Sequence, residues 1–218
     1  FSIQAFRTYA PTNNVDYALV GCAMPFTNRL AGSRIDVVLA DVNGAVYFGR
    51  GDTTNGLTST HSCMDLSVAR SKLSAVVAAY WADLEMHPAQ GSSITFGTAM
   101  LDGTNRYFVV QYQNVGVYSR SGDSISFQVS IPESQPDLVY VRYGANVDAR
   151  SSGSVSIGAQ GAKVGDYANA PCLNYYYQSN PPSIEEGRTV AFHFGAGSDP
   201  LKVDTDGDGL DDCAEVAL

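Results

Sequence analysis

Twelve residues near the end of the chain carry its densest chemistry. From Asp204 to Glu215 the sequence reads DTDGDGLDDCAE. Asp204, Asp206 and Asp208 stand at positions one, three and five of a twelve-residue calcium loop. Gly209 supplies the sharp turn at six, and Leu210 offers its backbone carbonyl at seven. Asp212 stands at nine, and Glu215 can be bidentate at twelve. Calcium takes six to eight hard oxygen ligands, and this spacing wraps them around one point. Ca2+ is therefore the expected cofactor.

Weaker constellations lie elsewhere. Asp83, Glu85 and His87 alternate on one side of a strand end, with the donor types of a second metal site or an acid–base pair. Arg50, Gly51 and Asp52 form an RGD tripeptide in an expected loop, a receptor-type contact. Tyr175, Tyr176 and Tyr177 lie in a turn-rich stretch beside Asn174 and Gln178. Tyr rings stack on sugars and amides hydrogen-bond hydroxyls, so this cluster is a candidate glycan contact, with packing of a long loop as the alternative. His193 alternates with Phe192 and Phe194 and is expected to face outward, and Trp81 sits in an apolar run typical of a core residue. No GxSxG, HExxH, P-loop or dinucleotide-binding pattern occurs, so no catalytic residue is expected.

Short strands must carry these residues. Alternating apolar runs at 2–8, 16–21, 34–40, 93–98, 106–113, 124–131, 138–143, 154–159 and 189–194 are bounded by Gly, Asp, Asn, Ser or Pro. Asn43-Gly44 suits a tight turn between 34–40 and a strand over 45–49. Residues 65–84 are ambiguous: a helix or irregular stretch is expected first, then a buried strand over 75–84. Residues 162–187, with Pro171, Pro181 and Pro182, read as turns. In 106–113 both faces are partly apolar, which marks a central strand. The expected fold class is all-β: an antiparallel β-sandwich, jelly-roll-like, over 1–199, followed by a calcium-binding loop over 200–218.

Composition narrows the function. The chain has 218 residues, with only 16% charged and three lysines, Lys72, Lys163 and Lys202. The net charge is −9, and six of the acids lie between Asp204 and Glu215, so the remainder carries only −3. No basic footprint suits nucleic acid, and no apolar run suits membrane insertion. The chain begins at Phe1, which a removed signal peptide or an excised fragment would explain. Cys22, Cys63, Cys172 and Cys213 form no zinc motif. Their even number suggests two disulfides and an oxidising compartment. Three connectivities are open; sequence-local pairing favours Cys22–Cys63 and Cys172–Cys213, each worth about 4 kcal/mol by loop entropy.

Two resemblances follow from these residues. The stretch Asp204 to about Val216, preceded by a Gly-rich linker and carrying Cys213 inside the loop, resembles a thrombospondin type 3 or related bacterial calcium repeat rather than an intracellular EF-hand. The succession VNGAVYF, VVAAYWADL, RYFVVQY, ISFQVSI, LVYVRY and VSIGA, spread over about 35–161, is similar to nidogen-like extracellular domains of surface proteins. That resemblance implies a β-sandwich with an adhesive or matrix role, and no catalytic residues. The expected protein is a secreted or cell-surface adhesion or structural module, not an enzyme. Its expected partner is an extracellular protein or glycan ligand. The alternatives are self-association into a filament or surface layer by strand pairing, and a carbohydrate-binding accessory module of a larger secreted protein.

Overall fold

The computed structural model describes residues 3–51, 58–59, 75–100, 103–118, 122–144, 154–161, 172–179 and 184–194, with 172–179 as backbone alone. Among these residues the chain is all-β, apart from one 3-10 turn at Pro88–Gln90. The strands are β1 (Gln4–Tyr9), β2 (Leu19–Leu30), β3 (Ser33–Asp41), β4 (Ala45–Gly49), β5 (Ala75–Trp81), β6 (Leu84–Glu85) and β7 (Ser93–Met100). They continue as β8 (Arg106–Val117), β9 (Ser124–Pro132), β10 (Leu138–Tyr143), β11 (Ser154–Gly161), β12 (Cys172–Ser179) and β13 (Thr189–His193).

Two antiparallel sheets form a sandwich. The first runs β1-β7-β8-β9-β10-β13, with β6 also paired to β8. The second runs β12-β11-β5-β4-β3-β2. The period of two along each strand decides what lies between them. Phe108, Val110 and Tyr112 of β8 point inward, as do Ile125, Phe127, Val129 and Ile131 of β9, and all are buried in the main core. Val38, Val46, Phe48, Val77 and Ala79 meet them from the second sheet. β5 is buried on both faces along its whole length, which its small apolar residues allow. His193 is exposed between buried Phe192 and Phe194, as its alternation requires. Trp81 is buried, but in a satellite cluster with Tyr47 and Val76, on the face of the second sheet that points away from the main core.

Polar bonds pin the two sheets across this core. The Tyr112 hydroxyl donates to the Asp41 carbonyl at 2.9 Å, and the Tyr143 hydroxyl to the Ala79 carbonyl at 2.7 Å. The Asn28 amide of β2 donates to the Pro132 carbonyl of β9 at 2.6 Å. Phe26 of β2 lies under the Arg106 guanidinium of β8, 5.6 Å from the ring centroid. Glu133 holds that guanidinium with two hydrogen bonds, of 2.8 and 2.6 Å.

Several elements differ from the sequence expectation. The Asn43-Gly44 turn is not a two-residue type I′ loop, which needs positive φ at both central residues. Only Gly44 has it, at 87°, and its N–H donates to the Asp41 carbonyl at 2.9 Å. The two-residue loop is Ala31-Gly32 between β2 and β3, with φ of 51° and 75°. β2 extends to Leu30, through Pro25; an edge strand tolerates the missing N–H, and the pairing slips between Ala23 and Asn28. Residues 172–179, expected as turns, form edge strand β12 on β11. The helical or irregular part of 65–84 and the whole of 195–218 lie outside the described residues.

Two substitutions test the pins by chemical denaturation. Tyr143→Phe strands the Ala79 carbonyl and is expected to cost about 1–2 kcal/mol. Gly44→Ala is expected to cost more, on the order of 3 kcal/mol, because a Cβ there meets a backbone oxygen. Equal, sub-kilocalorie effects would mean that neither contact holds the sheets.

Candidate functional site

Two polar constellations assemble among the described residues, and they differ in access. The first is enclosed at the β3–β4 corner, where Asp41 and Asn43 are fully buried. The Asp41 carboxylate accepts the Asn43 backbone N–H at 3.0 Å and the Ser59 hydroxyl at 2.6 Å. The Asn43 side chain accepts the Leu84 N–H at 2.8 Å and donates to the Asp16 carbonyl at 3.1 Å. Burial, then the nearby Asp41 charge, raises the pKa of both Tyr112 and Tyr47, so both hydroxyls stay neutral donors. With Asp41 and Asn43 buried and bonded to their neighbours, this cluster locks the corner.

The second constellation is open. A bulge in β8 shifts the pairing with β9 between Tyr112 and Val115. Asn114 takes the left-handed conformation there, at φ 49°, which Asn tolerates better than most residues. Its N–H donates to the Ser126 hydroxyl at 2.9 Å. Gln113 faces outward by alternation with Gln111, and the bulge turns Asn114 to the same outer face of the first sheet, beside Gln111 and Gln128. The amides form a head-to-tail chain. Gln128 donates to Gln111 at 2.9 Å, Gln111 to Gln113 at 2.8 Å, Gln113 to Asn114 at 3.2 Å, and Asn114 to the Gln90 carbonyl at 3.1 Å. Arg142 and the turn carrying Glu186 and Gly187 wall a groove of about 340 Å³ over this chain.

Over residues 3–192 the sequence matches the family described as NIDO related, a span that runs from before β1 into β13. The chain belongs to the NIDO-related family. The match is wider than the resemblance at 35–161 and takes in the edge strands β1, β2 and β12 whole. No curated protein and no solved structure matches the chain significantly. NIDO-related domains are typical of extracellular proteins, and among the described residues no helix is long and apolar enough to cross a membrane.

The expected site residues of this NIDO-related chain fare differently. Asp204, Asp206, Asp208, Leu210, Asp212 and Glu215 lie outside the described residues, as do Cys63, Cys213, His61 and Asp52. Glu85 and His87 do meet, at 3.3 Å. Among the described residues, however, no group of three His, Cys, Asp or Glu side chains is placed to hold a metal, so Asp83 does not complete a site with them. Arg50 and Gly51 are exposed, and the Gly51 N–H donates to Asp36 at 2.9 Å. Tyr175, Tyr176 and Tyr177 do not lie in a loop. Tyr176 pairs with Ile157 and Tyr177 with Ser156, while Tyr175 falls at the bulge of β12. Cys172 begins that strand, opposite Gln160.

Sequence reasoning passed over Gln111, Gln113, Asn114 and Gln128. Their signal was the alternation of polar residues along 106–113 and 124–131. What it lacked was the register that sets them side by side.

Cys22 is a free, buried thiol in β2, and burial raises its pKa. Its expected partner Cys63 lies outside the described residues. A buried, protonated thiol reacts slowly, since the thiolate is the nucleophile. Iodoacetamide is therefore expected to leave Cys22 unmodified in the folded chain near neutral pH, and to alkylate it after denaturation without reductant. A requirement for reductant would show a disulfide instead.

Proposed function

We propose that this chain is a non-enzymatic secreted or cell-surface module with an adhesive or structural role. The observation that carries the reading is the NIDO-related match across the whole sandwich. The polar pinning of the sheets supports it, since a rigid body presents a fixed outer face. The reading extends to the segment after the sandwich as a thrombospondin type 3-like repeat. The donor set there suits calcium: five carboxylate side chains, at Asp204, Asp206, Asp208, Asp212 and Glu215, and the Leu210 carbonyl. A bound ion would neutralise part of their mutual repulsion and stiffen the junction after Pro200.

A second reading, assembly into a filament or surface layer, has one observation in its favour. Among the described residues β1 pairs with β7 alone and is exposed along nearly all its length, with Phe6 49% exposed. A strand that buries so little is easily exchanged for the same strand of another copy.

Limited proteolysis with millimolar calcium and with chelator tests the first reading. Calcium is expected to slow cleavage within 195–218 several-fold, and a Asp206→Asn/Asp208→Asn double variant is expected to abolish that protection. Equal cleavage in both conditions would remove calcium from the account. Light scattering over a concentration series separates the second reading, which requires growing mass that deletion of residues 1–9 abolishes.

A further inference from the structure

We propose that the groove over the Gln128–Gln111–Gln113–Asn114 amide chain binds a neutral glycan. The inference rests on the adhesive reading and names the ligand class for it.

The groove lies at the middle of a sheet, not at an edge. Gln111 pairs with Thr95 on β7 and Gln128 on β9, and Gln128 pairs with Arg142 on β10. The ladder bonds of these strands are already made, so a peptide strand cannot add there by main-chain pairing. Arg142 on one wall is balanced by Glu186 on the other, which leaves no net field to select a phosphate or sulfate. The lining is mainly polar, which disfavours an apolar ligand.

What remains is hydrogen-bonding chemistry of a particular kind. Each NH2 group in the chain gives one proton to the next amide and keeps the second. The side-chain oxygens of Gln111 and Gln113 each accept one neighbour and keep another lone pair, while the Asn114 oxygen accepts both Gln113 and the Ser126 hydroxyl. Donors and acceptors therefore alternate along the groove. A sugar hydroxyl is itself one donor and two acceptors, so adjacent hydroxyls on a ring match that alternation. The amides are half-buried and hold one another in place, so little side-chain freedom is lost on binding. The volume, about 340 Å³, falls within the range of small-molecule sites.

The test uses the intact chain and three neutral hexasaccharide probes: cellohexaose, maltohexaose and chitohexaose. Nuclear magnetic resonance follows the side-chain NH2 signals of Gln111, Gln113, Asn114 and Gln128 during titration. At least one probe is expected to shift them together. Gln111→Leu/Gln128→Leu is expected to weaken that binding about tenfold or more, the loss of one or two hydrogen bonds. Gln128→Glu, which keeps shape and solubility, is expected to weaken it in the same direction at an unchanged melting temperature. No shift with any probe overturns the proposal, and so does a shift centred on other residues. Retention of the chain on an immobilised matrix glycoprotein separates this from the broader reading. Retention that survives removal of the glycans sinks the groove and keeps the adhesive role. Retention lost with the glycans and with the Gln variants supports both.

Discussion

Gly44 has no side chain, and the backbone of Tyr80 occupies the space where one would stand. A Cβ there would lie 2.1 Å from the Tyr80 carbonyl oxygen. This close approach lets one short loop, Asp41 to Gly44, serve three elements at once. Its backbone closes the β3–β4 hairpin, and the Gly44 and Asn43 carbonyls accept N–H groups of Ala79, Tyr80 and Ala82 at the end of β5. The Asn43 side chain takes the first N–H of β6, at Leu84. The loop also presents the Asp41 carbonyl to the Tyr112 hydroxyl of the opposite sheet. A buried N–H or hydroxyl left without an acceptor costs about 1–3 kcal/mol. Changing this corner therefore disturbs two strands of the second sheet and the centre of the first together.

The consequence for the outer face is indirect but physical. Tyr112 is held from inside, so the strand on either side of it must keep its register. The bulge that follows it then falls at Asn114, and the odd-numbered residues before it keep their outward orientation. The outward row across the first sheet is Thr8, Thr95, Gln111, Gln128, Arg142 and Thr189, polar in every strand. The neighbouring row contains Gly97, Val109, Ser130, Tyr140 and Ala191. One face thus carries a hydrogen-bonding stripe beside a small, mostly apolar one. Gly97 is part of that economy, because a Cβ there would meet the Gln4 backbone oxygen at 2.6 Å and push β1 from its place.

Alternation was legible in the sequence wherever a strand is buried on one face and bounded by turn residues. Strands β7, β9, β10 and β13 follow this rule, and β8 read correctly as central because both its faces carry apolar side chains. Legibility failed where local chemistry contradicts a position fixed by the rest of the fold. Pro25 hides the second half of β2, and the prolines around 172–179 hide β12; both are edge strands, where a missing donor is cheap. Asn43-Gly44 carries the strongest local turn signal, yet the packing against Tyr80 sets the turn type. The groove was the least legible feature. Its members come from three strands and a turn, and only cross-strand register makes them neighbours. Register depends on the inward set of side chains, not on the polar residues themselves. The calcium spacing is the opposite case: its pattern is local, so sequence alone reads it.

Charge is distributed so as to favour recognition by contact. Six of the acids lie between Asp204 and Glu215, which leaves the remaining chain at only −3. A body so weakly charged exerts little long-range pull on a charged partner. Binding by such a surface has to come from directional hydrogen bonds and shape, which act over a few ångströms. The amide chain fits that regime. Its groups are neutral, oriented by one another, and polarised in one direction from Gln128 toward Gln90, so each bond strengthens the next. Neutral hydrogen-bonding ligands gain from that order, whereas ionic ligands gain little. The arrangement of the outer face and the charge balance of the chain therefore argue for the same class of partner on independent grounds.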